Sequence, residues 1–439
     1  MTLNPADAQV IESPTTHIPT HWYNVVADLP TPPAPMLNPA TREPVTPGEL
    51  APLFASELVR QELSTERWTE IPAPVREAYA TYRPTPFIRA LGLERAVGTR
   101  SRIYLKYEGV SPLGSHKLNS SLPQAYYNKL DGITTLTTET GAGQWGAALA
   151  YAGALFGLDV DVYQVRASFD SKPYRRYLME TYGATVHSSP SELTESGRAM
   201  RERFPDTTGS LGMAISEAVE VAAKSGGSAH YALGSVLNQV ILHQSVIGQE
   251  AVDQLRQMEP EGADAVFGCV GGGSNFGGLA FPILREVLRG RSHARIVACE
   301  PTACPSITKG EFRYDAGDVA GMTPLMQMYT LGVDFVPSPI HAGGLRYHGM
   351  SPLVSHVVHE GLMSATAITQ TDAFAAGVLT ARSQGILPAP ESTHAIAAAL
   401  DYVRAQEEPR VVVIGVSGHG HLDLPAYASY VHGELTDLE

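Results

Sequence analysis

The sequence predicts an α/β protein with mostly parallel sheets flanked by helices. Two observations carry this. Strand-like and helix-like runs alternate from residue 82 onward, and the later strand runs AVFGCVGGG, RIVACE and RVVVIGVSG lack polarity at every second position, as in sheets covered on both faces. Glycine-rich turns close several of these strands, at the carboxyl ends where parallel sheets collect their ligands.

The elements follow in order. IYLKYE (103–108) reads as a strand, and 118–130 as a helix with Pro123 tolerable in its first turns. ITTLTTE (133–139) is β-branched and strand-like. Residues 146–156 are alanine-rich and helical, ending at Gly157. DVDVYQV (159–165) is a strand, KPYRRYLMETYGA (172–184) a helix closed by Gly183, and ATVHS (184–188) a strand. AVFGCVGGG, RIVACE and RVVVIGVSG read as buried strands. Ahead of this pattern, 15 of the 32 prolines fall within the first 86 residues, too dense for long helices or continuous sheet. Residues 1–82 therefore read as an extension wrapped on the surface, with one helix around 47–62. Trp22, Tyr23, Phe54 and Trp68 argue that it packs.

Composition bounds the function. A chain of 439 residues, 44% hydrophobic and 17% charged, can bury a large core in one large or two intertwined domains. Its 31 basic and 45 acidic residues give a net charge of −14, which argues against nucleic acid or an anionic membrane as partner. Cys269, Cys299 and Cys304 form no CxxC pair and leave one odd, as expected of a reducing, cytoplasmic setting without a disulfide framework or a bound metal. MTLNPADAQV lacks the basic and apolar regions of a secretory signal, and no apolar run of about 18 residues could span a bilayer.

The run GSHKLNS (114–120) carries the most chemical information. Lys117 follows a Gly-Ser turn and precedes a helix, a setting in which a lysine forms a Schiff base with pyridoxal phosphate. Burial there would lower its amine pKa; a lysine elsewhere is usually a solvated charge. Ser115 and His116 could donate to a phosphate, against a purely structural role for His116. In GGGSN, the glycines Gly271, Gly272 and Gly273 let backbone N–H groups approach phosphate oxygens, and Ser274 and Asn275 open a helix whose positive end faces them. Similar turns serve NAD, but the spacing is not GxGxxG and Glu300 lies beyond the usual ribose-binding distance of about 20 residues. A turn without a ligand is the plain alternative.

Ser417 ends VVVIGV and could donate one hydrogen bond to a pyridine nitrogen, or cap a helix. A serine does not hold that ring protonated, which suits loss of a β-substituent and addition to the resulting double bond better than transamination. Glu139 ends a strand beside TGAGQ and is a candidate acid–base group, or else an exposed loop acid. The amides of Thr140, Gly141, Ala142, Gly143 and Gln144 could hold a substrate carboxylate.

GSHKLNS, TETGAGQWG (138–146), YALGSV (231–236), CVGGGSN (269–275), PAPESTHA (388–395) and SGHGHLD (417–423) resemble, in this order, the tryptophan synthase beta chain, across residues 83–424. The long N-terminal region, Trp145 where the familiar type has histidine, SKPYRRYLMETYGA and IHAGGLRYHG (340–349) are similar to its divergent second type. The resemblance implies fold type II of pyridoxal-phosphate enzymes and the reaction of L-serine with indole (or with indole glycerol phosphate through an alpha chain) to give L-tryptophan and water. It implies that Lys117 binds the cofactor and takes the serine Cα proton. It implies that Glu139 assists loss of the hydroxyl and then directs indole. His116, Asn119, Ser235, Gly271 to Asn275, Glu391 and Ser417 are the cofactor-binding positions, and Asp334 sits where the family has an acid that caps the closed site. A monovalent cation and a homodimer complete the implied set. The expected domains are the extension 1–82, a unit of 83–116 plus 236–439 carrying the phosphate cup, and a unit of 117–235. That last unit includes a mobile closing part within 139–230. Departures at 160–180 and 340–349 overlap the surface that meets an alpha chain in the first type and predict independence from it. The rival readings are a serine or threonine dehydratase of the same fold, with no need of Glu139, and a non-catalytic pyridoxal-phosphate-binding subunit.

Overall fold

The apolar runs after residue 82 form two sheets in the computed structural model, which describes residues 17–171 and 173–438. The larger sheet has the order Ser364–Ile368, Arg295–Pro301, Ala265–Cys269, Val411–Val416, Arg102–Tyr107, Phe87–Arg89. Every neighbouring pair is parallel except the last. The smaller sheet is wholly parallel, in the order Thr185–Ser189, Asp159–Val165, Thr135–Thr140, Ala229–Tyr231. Strand alternation divides the larger sheet between two cores. Val411 and Val413 join one with Phe276 and Leu279, while Val412, Ile414 and Val416 join the other with Ala395 and Ile396. The helices Ser274–Leu288 and Pro390–Arg404 supply those partners. This double burial is why Val411–Val416 is apolar at every position.

The predicted helices 118–130 and 146–156 appear as Leu118–Leu130 and Gln144–Phe156. Two small antiparallel pairs were not expected: His21–Tyr23 with Trp68–Glu70, and Glu311–Ala316 with Leu325–Thr330.

The extension differs from its surface reading. Its residues 1–16 lie outside the described residues, as does Lys172. Trp22, Val25 and Tyr79 are buried in the same core as the strands, whereas Trp68 is 41% exposed. The single helix expected over 47–62 is two, Pro47–Leu50 and Ser56–Leu63. Pro52 has no backbone N–H to continue the first helix, and Ala55 at ψ 147° turns the chain before the second begins. The intervening Phe54 turns inward.

A buried cluster of charges lies at the junction of the extension and the sheet, where Tyr82 Oη donates to Asn119 Oδ1 at 2.8 Å. Arg83 binds Glu108 at 2.9 Å and Glu250 at 2.8 Å, and Lys106 binds Glu250 at 2.8 Å, with all four side chains 0–1% exposed. Burial opposes the ionised Glu108, yet Arg83 and Lys106 hold it down to about 2. Asn119 belongs to this cluster and bridges Arg83, Glu108 and Gln244. Glu250→Ala would leave two buried cations with one carboxylate. We expect it to cost roughly 3–5 kcal/mol of stability, read as a lowered urea midpoint, because an unpaired buried charge cannot be resolvated.

Candidate active site

Two strand-to-helix turns of the same design face one cavity. In each, a parallel strand ends in a short glycine-rich loop, and a glycine in the left-handed region starts the next helix. Gly143 has φ 97° before Gln144–Phe156, and Gly273 has φ 98° before Ser274–Leu288. Side chains could not replace these glycines: a Cβ on Gly271 would lie 2.3 Å from the Gly344 carbonyl oxygen, and one on Gly272 2.6 Å from Ser235 Cβ. Each helix start lies at the cavity, which Gln144 and Ser274 line.

Lys117 lies between the turns. It directly precedes Leu118–Leu130, and its Nζ donates to the Gly234 carbonyl and, at 3.2 Å, to Ser274 Oγ. Burial lowers its pKa to about 8, against the opposing pull of Glu139 and Glu391. His116 is pushed down to about 3 by burial, aided by Lys117, and is neutral. Its Nδ1 faces the Ser417 carbonyl at 3.2 Å, which can only accept, so that nitrogen carries the proton and Nε2 can accept from Ser274 Oγ at 3.4 Å.

The segment before Lys117 is zipped to the end of the sheet. His116 N–H donates to Ser417 O and His419 N–H to Gly114 O. Ser417 itself is held by Ser392, whose Oγ lies 2.8 Å from Ser417 Oγ and accepts from Ser417 N–H at 2.9 Å. Glu139 ends the strand Thr135–Thr140, is 3% exposed, and accepts from Tyr231 Oη at 2.6 Å. Burial raises its carboxyl to about 7, against that hydrogen bond and Lys117.

One cavity holds these groups. It brings together His116, Lys117, Glu139, Thr140, Gly141, Ala142, Gln144, Ser235, Gly271 to Asn275, Glu391 and Ser417. Three expected residues stand apart. Asn119 turns into the charge cluster, because Arg83, Glu108 and Gln244 satisfy its amide there. Gly143 shapes its turn without lining the cavity; Arg175 occupies the space where its Cβ would be. Asp334 pairs with Arg203 at 2.8 Å on the exposed surface, with its side chain 52% exposed. Ser115, read above as a phosphate donor, also lines the cavity, and Gly344, Leu345, Tyr347 and His419 do so without having been singled out. The first and last lie within the motif runs themselves. The other three lie in IHAGGLRYHG, so this segment helps to shape the site.

These residues fit pyridoxal phosphate. The glycine cradle at Gly271 to Asn275 suits its phosphate, Lys117 its carbonyl carbon and Ser417 its ring nitrogen. Ser115 Oγ and Glu391 Oε2 are buried polar atoms with no hydrogen-bond partner among the described residues.

Residues 79–418 match the family described as pyridoxal-phosphate dependent enzyme. A protein of Aeropyrum pernix named tryptophan synthase beta chain 2 is 54% identical over 427 residues, covering 96% of this chain and 95% of that one. One of the same name from Thermotoga maritima is 54% identical over 421 residues, covering 95% and 99%. The chain belongs to the tryptophan synthase beta chain family. The relatives named chain 2 place it with the family's second type. Serine racemase from Dictyostelium discoideum matches it with a TM-score of 0.56 at 19% identity, over 78% of this chain and 96% of that one, which shows the shared fold.

The raised Glu139 carboxyl sets a pH-dependent stability. Its folded value of about 7 exceeds the ordinary 4.5, so its contribution is fully present below 4.5 and is lost as pH rises to about 7. Glu139→Gln should match the wild type in melting temperature near pH 4.5. Near pH 8 it should exceed it, by up to ~2–3 kcal/mol. Parallel melting curves at the two pH values check this.

Proposed function

We propose that this chain joins L-serine to indole, forming L-tryptophan and water. The observation that carries the reading is that Glu139, a buried carboxyl poised near neutrality, shares one cavity with Lys117, Ser417 and the two glycine turns. A dehydratase would need Lys117 and the phosphate cradle but no second acid–base group at this place. The relatives' names agree with the synthase.

The roles follow from chemistry. The substrate carboxylate is held by the amides of residues 140–144, at the positive end of the helix Gln144–Phe156. Lys117 removes the Cα proton and later returns it. Pyridoxal phosphate, when bound, supplies the electron sink that makes this proton acidic. Glu139 gives its proton to the departing β-hydroxyl, which leaves as water. The resulting carboxylate then accepts the proton that indole releases when its carbon bonds to Cβ, so atoms and charge balance and Glu139 ends protonated as it began. A neutral Ser417 donor leaves the ring nitrogen unprotonated, which favours replacement over transamination.

The protein is further proposed to act in the cytoplasm as a homodimer, to accept a monovalent cation and to use free indole without an alpha chain. The last point rests on the extension, whose Trp22, Tyr23 and Tyr79 pack into the core of this chain; we infer that it covers surface a partner would otherwise meet. Support for a two-unit division near 116 and 236 comes from the strands, which fall into separate sheets on either side of those positions.

Purified protein loaded with cofactor and given serine and indole should release tryptophan in excess over pyruvate. Pyruvate as the main product would favour the dehydratase. Lys117→Ala should abolish turnover and the borohydride-reducible attachment of the cofactor. Glu139→Ala should retain cofactor and serine binding but lose tryptophan formation by about 100-fold or more.

A further inference from the structure

Tyr231 belongs to two environments at once. It ends the strand Ala229–Tyr231 and is 2% exposed. Its hydroxyl donates to Glu139 Oε2 at 2.6 Å on the active-site side. Its ring lines a second, apolar cavity together with Leu50, Leu53, Phe54, Leu58 and Met326, four of them from the N-terminal extension. The extension grips Tyr231 from there. Tyr231 N–H donates to the Leu53 carbonyl at 2.9 Å, and the Phe54 ring lies 5.9 Å from the Tyr231 ring, tilted by 57°.

We propose that Tyr231 is the positioning residue for Glu139, and that the extension, through Leu53 and Phe54, holds Tyr231 in place. This rests on Glu139 being the acid–base group of the proposed reaction. The terminal torsion of a glutamate is broad, so a carboxyl without a fixed partner samples many orientations. A hydrogen bond from a buried phenol fixes one oxygen and thereby sets the direction of the other. Tyr231 in turn cannot swing away, because its backbone is paired to Leu53 and its ring is backed by Phe54. The sequence segment that distinguishes this type of chain thus reaches the reacting atoms through one side chain.

The electrostatics around Glu139 give the proposal a direct readout. Burial disfavours the ionised carboxyl, and the Tyr231 hydrogen bond, Lys117 and Thr138 favour it. Tyr347 also faces Glu139; Asp318 acts on both tyrosines, and Glu391 acts on Lys117. Removing the Tyr231 hydroxyl therefore removes a group that favours ionisation and must move the Glu139 titration upward.

Tyr231→Phe keeps the ring and its contact with Phe54 and deletes only the hydroxyl. In the holoenzyme, the infrared carboxyl band that vanishes in Glu139→Gln should titrate about one pH unit higher in Tyr231→Phe. The limb of the kcat–pH profile set by Glu139 should move with it. Tryptophan formation should fall about tenfold in kcat, with little change in KM for serine. Phe54→Leu, which retains apolar bulk but loses the ring contact, should shift both readouts in the same direction by less. An unmoved infrared midpoint and pH profile in Tyr231→Phe would overturn the positioning role. Unmoved values in Phe54→Leu together with a shift in Tyr231→Phe would overturn the role of the extension. If wild-type protein makes no tryptophan from serine and indole, the proposed reaction fails, and the infrared midpoint still decides whether Tyr231 holds Glu139.

Discussion

The buried cluster of Arg83, Lys106, Glu108 and Glu250 is the constraint on which the site depends. Two cations and two carboxylates balance where their side chains are shut off from bulk solvent, so each charge requires the others. The groups come from separate places: the residue that follows the extension, the strand Arg102–Tyr107 and the turn after it, and the helix Val246–Met258. Asn119 adds the helix that begins beside Lys117. Fixing these four elements fixes where Lys117 emerges, two residues before the amide that the cluster holds.

From that fixed point the cavity is built by repetition. Two turns with matching glycine geometry, one from each sheet, aim helix N-termini into the same space. One suits a phosphate and the other a carboxylate, the two anions that a pyridoxal-phosphate enzyme acting on an amino acid must hold. The backbone pairing of Gly114 and His116 with residues 417–419 then closes the ring of elements around Lys117. The charge needed at each place comes from backbone amides and buried neutral groups, so few formal charges enter the site itself.

The local parts of this arrangement were legible in the sequence. A glycine run after an apolar strand declares its turn, and GSHKLNS, TGAGQ, GGGSN and SGHG all fall on the cavity. Contributions that depend on tertiary neighbours were not legible. Asn119 sits inside the most informative motif, yet the charge cluster turns its amide away from the cavity. Ser392 holds Ser417 from a helix 25 residues earlier in the chain. Tyr347 and Leu345 reach the cavity from an irregular segment with no periodicity to place them. Proline density suggested that the extension lies on the surface, but density of prolines reports stiffness, and the burial of Trp22 and Tyr79 is decided by the groove into which the stiff segment fits.

The pairing of Leu53 with Tyr231 also has a bearing on solubility. Ala229–Tyr231 is the outermost strand of the smaller sheet, and the extension covers its end and walls the apolar cavity beside it. An uncovered strand edge next to an apolar hollow is a template for sticking to other chains. A chain shortened by removal of the extension would expose both at once. It would be expected to self-associate during synthesis, even where its two sheets could still form.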